Sequence, residues 1–114
     1  MEQQSLNDNE KFEDLKYSKK VLSDSRTEID RIDNELIDLI NKRTSLANDI
    51  IRSKIALNMD IHDEERENLI YERVIKLAND KNLNENTKNS VLEIMNILID
   101  LSKTEQEEII NKRD

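Results

Sequence analysis

The chain has no cysteine, no glycine and no proline, and aromatic residues make up only 3% of its 114 residues. Each absence removes a class of protein. Without cysteine there are no disulfides to stabilise a small domain outside the cell and no thiolate for nucleophilic or metal chemistry, so the cytoplasm is the expected compartment. Without glycine and proline, tight turns have little to build with, and aromatic-rich sheet is starved in the same way, which leaves helix as the natural structure. The longest apolar runs are a few residues, far short of a bilayer span, and the N-terminal MEQQSLNDNEKFEDLK lacks the basic, apolar, cleavage-site order of a leader. No membrane association or export is expected. The single histidine, His62, reads as an exposed loop residue and does not make a metal site, so no metal is expected.

What the chain has in quantity is charge. Charged residues reach 39% against 35% hydrophobic, with a formal net charge of −8. That balance is thin for a compact monomer and suits long amphipathic helices that find their missing core in a partner subunit. Nucleic acid is excluded as a partner, because no Lys/Arg cluster stands clear of neighbouring acids to overcome the negative field. The length allows one domain at most.

Residues 1–24 read as a polar N-terminal arm, partly helical near its end, and 25–114 as the helical domain. From Ser25, Ile29, Ile32, Leu36, Leu39, Leu46 and Ile50 recur in three- and four-residue steps, predicting a first, long helix to about Leu57. Asp63 is the expected N-cap of a second, short helix opened by Glu64 and Glu65, with a stripe of Ile70, Val74 and Leu77 widened by Leu69, Tyr71 and Ile75. The five asparagines between Asn79 and Asn89 read as a loop and a ragged helix start. A third, medium helix follows through Val91, Ile94, Met95, Leu98, Leu101 and Ile109. Tyr71 and the methionines read as core filling.

The informative residues interrupt these stripes. Arg43 stands where the first helix should be apolar, with Arg26 upstream and Lys54 downstream on the same face. Glu67 lies one helical step before Ile70, and Ser102 and Gln106 occupy the inner face of the third helix. Any one of them could pair locally or carry its charge outward on a long stem. All six together, in a chain of charge −8, suggest a buried anionic ligand. At ~1.5 Å per residue Arg43 and Lys54 are about 16 Å apart along the axis, a span that can clamp the two ends of a small dianion. Arg26 lies about 25 Å from Arg43 by the same rise, too far to touch that ligand within one chain. It can serve only a second copy's site, which predicts a homodimer.

These residues carry a resemblance. The stretch from Ser25 to Glu108 resembles the all-α chorismate mutases: Arg26, Ile29, Asp30, Ile32 and Asp33 match the family's R-x-x-I-D-x-I-D opening, and Arg43, Leu46 and Ala47 its R-x-x-L-A element. Lys54 sits where the family keeps an active-site lysine. Asp63, Arg66 and Glu67 match D-x-x-R-E, and Ser102 and Gln106 the polar pair of the last helix. The interval from Leu83 to Ser102 is slightly longer than the family's.

The resemblance implies an intertwined, all-α homodimer of three-helix chains that converts chorismate to prephenate on the route to phenylalanine and tyrosine. With no dehydratase or dehydrogenase domain following, a stand-alone mutase is expected. The pericyclic reaction needs no nucleophile, metal or proton transfer; the site must hold a flexible dianion in its reactive chair and stabilise charge as the C–O bond breaks. By resemblance, Arg43 and the other subunit's Arg26 hold the carboxylates with Ser102, while Lys54 and Gln106 donate to the ether oxygen. Glu67 and the backbone near Asp63 bind the ring hydroxyl, and Arg66 orders the site. Two rivals stand beside this reading. One is an isochorismate pyruvate lyase of the same fold, against which Glu67 argues; the other is a non-catalytic helical interaction module in which the inward cations merely pair with Asp30, Asp33 or Glu67.

Overall fold

The computed structural model describes residues 12–113, all of whose regular structure is helical. The helices that position the site are α1 (Leu15–Ser45), α2 (Ala47–Ala56), α3 (Glu64–Asp80) and α4 (Glu85–Arg113). The long first helix of the sequence pattern is α1 followed by α2. They are separated only at Leu46, whose N–H donates to the Arg43 carbonyl at 3.2 Å, an i to i−3 bond that tightens the helix for one step. The helix also starts ten residues before Ser25. Asp14 explains that start, because its carboxylate accepts from the Lys16 and Tyr17 N–H groups at 2.9 and 3.3 Å and satisfies two donors of the first turn. Along its exposed surface Lys20 pairs with Asp24, and Arg31 bridges Glu28 and Glu35, pairings that support an isolated helix.

A chain without glycine must still stop its helices, and asparagine does it. Asn58 and Asn82 have φ of 57° and 55°. Behind them the bonds Met59 N–H to Lys54 O (2.7 Å) and Asn58 N–H to Ile55 O (3.1 Å) form a paired helix stop. The same pair closes α3, with Leu83 bonded to Ala78 and Asn82 to Asn79, both at 3.0 Å. Asparagine is the non-glycine residue best suited to this left-handed position. The helix start within the asparagine-rich stretch lies at Glu85, where the Asn84 carboxamide oxygen accepts from Thr87 N–H at 2.8 Å.

The chain divides into two compact units between Leu39 and Ile40. In the unit ending at Leu39, none of the described residues is buried. In the unit from Ile40 onward, α4 packs against α2 and α3, burying Ala47, Ile51, Ile70, Val74, Ala78 and Ile99. Tyr71, Val91, Leu92 and Met95 lie against Ile70, Val74 and Ile99. Parts of the expected core are corrected: Ala47 and Ile51 are buried where Leu46 and Ile50 stay exposed, Ala78 rather than Leu77 continues the α3 stripe with Leu69 and Ile75 exposed, Ile99 is buried in α4 while Ile94 is exposed, and Met59 lies exposed in the loop. Met1 falls outside the described residues.

Candidate functional site

Four short stretches of the second unit converge on one cavity of about 320 Å³. The last turn of α1 supplies Arg43, half-buried, whose Nη1 donates to the Leu98 carbonyl of α4 at 3.0 Å. The last turn of α2 supplies Lys54. Because the chain reverses just after it, the Lys54 ammonium reaches back across the loop to donate to the Ile61 carbonyl (2.5 Å) and to Gln106 Oε1 (2.9 Å).

The first turn of α3 supplies Asp63, Arg66 and Glu67. Asp63 is its cap, accepting from Arg66 N–H at 3.1 Å, and the acids Glu64, Glu65 and Glu67 complement the positive end of the helix. The Glu67 carboxylate, with 18% of its side chain exposed, lies 3.0 Å from His62 Nδ1 and 3.3 Å from Lys103 Nζ.

From α4 come Ser102, Lys103 and Gln106. Gln106 is the one buried polar residue among those described, at 2% exposure. Lys54 donates to its oxygen, which turns its Nε2 into the donor end; Nε2 bonds to Ser102 Oγ at 3.1 Å. An amide nitrogen carries two protons, so this group has donor capacity beyond that bond.

Seven of the eight residues singled out in the sequence therefore line one cavity, and Arg26 does not. Arg26 is exposed on α1, within the unit that ends at Leu39. Four cations (Arg43, Lys54, Arg66 and Lys103) face two carboxylates (Asp63 and Glu67), leaving two positive charges in a chain whose net charge is −8. Burial, with Arg66 and Arg73 nearby, pulls the Arg43 guanidinium down from its ordinary value. Burial likewise lowers the Lys54 ammonium; Asp63 and Glu67 oppose that fall and Lys103 adds to it. Cations that resist being both buried and crowded gain from an arriving anion.

Residues 25–107 match the family model described as chorismate mutase type II. The chain belongs to this family. It is 38% identical over 91 residues to a chorismate mutase of Methanocaldococcus jannaschii, a match covering 80% of this chain and 89% of that one. It is also 35% identical over 95 residues to a bifunctional chorismate mutase/prephenate dehydratase of Buchnera aphidicola, covering 83% of this chain but 24% of the relative. A relative of the same description from Aquifex aeolicus is 45% identical over 56 residues, 49% of this chain and 16% of that protein. No solved structure is significantly similar to the chain.

Two neighbours of Glu67 lie outside the family's motif residues, Lys103 on the cavity wall and His62 beside it. Lys103 stands four residues after Ile99 and three before Gln106, both buried, so helical spacing was the signal that could have placed it on the inner face. His62 is 62% exposed, as a loop residue should be, but its ring nitrogen meets Glu67. No group of three or more His, Cys, Asp or Glu side chains among the described residues is placed to hold a metal ion. None of the described helices is long and apolar enough to cross a membrane.

Proposed function

We propose that the chain is an enzyme that rearranges chorismate to prephenate, in the cytoplasm, with no cofactor. The observation that carries this reading is the convergence of Arg43, Lys54, Asp63, Arg66, Glu67, Ser102 and Gln106 on one cavity which, with Lys103 counted, has a surplus of two positive charges. The substrate is a dianion, and the reaction is an internal exchange in which a C–C bond forms as the ether C–O bond breaks. Nothing enters or leaves.

Arg43 binds one carboxylate, with Ser102 beside it. The ether oxygen gains negative charge as its bond breaks, and it sits against Lys54 and the amide nitrogen of Gln106. The Lys54–Gln106–Ser102 hydrogen-bond chain supports these roles, because it holds two donors in place before substrate arrives, and preorganised donors stabilise developing charge most. Glu67 accepts from the ring hydroxyl, with the backbone near Asp63, while Arg66 orders this end. Arg26 completes the set from a second copy of the chain in a homodimer. This assembly is supported by the half-exposed Ile29, Ile32, Leu36 and Leu39 on α1, which present an apolar stripe on the same helix as Arg26.

The test is an ultraviolet assay of chorismate disappearance with the product identified. Prephenate is expected. Absence of turnover, or release of salicylate and pyruvate from isochorismate in preference to turnover of chorismate, would overturn the reading.

A further inference from the structure

Lys103 is the cavity's one cation outside the polar residues that carry the family resemblance, and its geometry gives it a task. Its Nζ lies 3.3 and 3.5 Å from the two oxygens of Glu67, so the ammonium straddles the carboxylate and ties α4 to α3 at the cavity wall. Both side chains are largely withdrawn from water, at 26% and 18% exposure. The alternative partner, Asp100, is farther at 3.7 Å and is 68% exposed, so it competes weakly. The other neighbour of Glu67, His62, is 62% exposed and contributes a contact that water can replace.

Glu67 presents a difficulty that Lys103 answers. A carboxylate in a site for a dianion repels its ligand, and a partly desolvated carboxylate without a partner is costly. Yet a carboxylate is the strong acceptor that a ring hydroxyl needs. We propose that Lys103 is a positioning residue for Glu67: it fixes the carboxylate on the cavity wall and offsets its charge, so that Glu67 accepts from the substrate hydroxyl without expelling the dianion. This rests on the mutase reading given above. A rival role, in which the long lysine stem delivers the ammonium to a substrate carboxylate directly, predicts different kinetics.

The experiment compares Lys103→Met and Lys103→Arg, each in the full chain and in a Glu67→Gln background, by steady-state kinetics with chorismate. Hydroxyl binding is present before and during the reaction, so Lys103→Met should raise KM by roughly ten-fold, the loss of one charge-assisted hydrogen bond, with kcat nearly kept. Lys103→Arg should recover most of that loss. In the Glu67→Gln background Lys103→Met should cost little, because the carboxylate it positions is gone. An unchanged KM in Lys103→Met overturns the inference, and so does an equal loss in both backgrounds, which assigns Lys103 to the substrate itself. If Lys103→Met fails to fold, Lys103→Gln makes the same comparison with a polar side chain. Absence of turnover by the unsubstituted chain sinks the mutase reading and this inference with it, whereas turnover with an unaffected Lys103→Met sinks this inference alone.

Discussion

The two units of the chain carry the same kind of helical pattern with opposite outcomes. Up to Leu39, α1 repeats Ile29, Ile32, Leu36 and Leu39 at core spacing, and these side chains stay 47–62% exposed. From Ile40 onward the same three- and four-residue steps bury Ile51, Ile70, Val74 and Ile99 to 7% exposure or less. The cations differ in parallel. Arg43 is half-buried and bonded to the Leu98 carbonyl, while Arg26 is exposed on the other unit. An apolar stripe is information about what a helix must cover, and among the described residues only the second unit buries its own. The proposed homodimer gives the other stripe its partner and gives Arg26 a ligand.

The largest effect that would sharpen this contrast belongs to the buried side of it. If the second unit holds the chemistry, Lys54→Ala should lower kcat on the order of 10²–10³, the usual loss when a preorganised donor to developing negative charge is removed. The variant also strips Gln106 Oε1 of the donor 2.9 Å away, so circular dichroism must first show that the helices are kept. A rise in KM alone, with kcat unchanged, would mean that Lys54 binds substrate without assisting bond breaking.

A smaller but more direct effect tests the link between the two units. Arg26→Ala and Arg43→Ala chains, each inactive alone, should regain activity when mixed. In a twofold dimer with shared sites, a heterodimer has one site carrying both substitutions and one carrying neither, so random mixing of equal amounts restores about one quarter of the unsubstituted activity. No recovery after demonstrated subunit exchange would leave the exposed stripe of α1 without the role proposed for it.

How far these features could be read without coordinates follows from what spacing encodes. The helix class, the second helix capped by Asp63 and the grouping of Arg43, Lys54, Glu67 and Gln106 rest on periodicity and capping, which are local. The break at Leu46 is a one-residue change in hydrogen bonding, and an unbroken apolar stripe carries no trace of it. The face of α4 is harder still. Val91, Ile94, Met95, Ile97, Leu98, Ile99 and Leu101 surround much of that helix, so the apolar pattern alone does not select Ile99 as its buried residue, and although Ser102 and Gln106 mark the inner face, Lys103 beside Ser102 reads as one more surface lysine. Asparagine as helix terminator was half legible: the enrichment between Asn79 and Asn89 announces a loop, but which asparagine turns left-handed depends on where α3 stops.

The smallest effect separates two duties that the structure gives to one residue. Asp63 caps α3 through Arg66 N–H, and its charge opposes the lowering of the Lys54 ammonium. Asp63→Ala removes both, and loss of the cap should cost about 1 kcal/mol of stability, read by chemical denaturation at fixed protein concentration. Asp63→Ser keeps a capping oxygen and removes only the charge, so its stability should stay close to that of the unsubstituted chain. The pH dependence should divide the two effects further. Burial holds Lys54 below the ordinary lysine value, with Asp63 first and Glu67 second in pulling it back up. If Lys54 serves the ether oxygen as proposed, its protonated form does so, and kcat/KM should fall as pH rises through that lowered value. Without the Asp63 charge Lys54 is lowered further, and the alkaline limb should begin at a lower pH in both variants, including the one whose stability is unchanged. An alkaline limb that stays in place in Asp63→Ser would mean that the carboxylate acts only as a cap, and one that moves upward would mean that the limb belongs to a group other than Lys54.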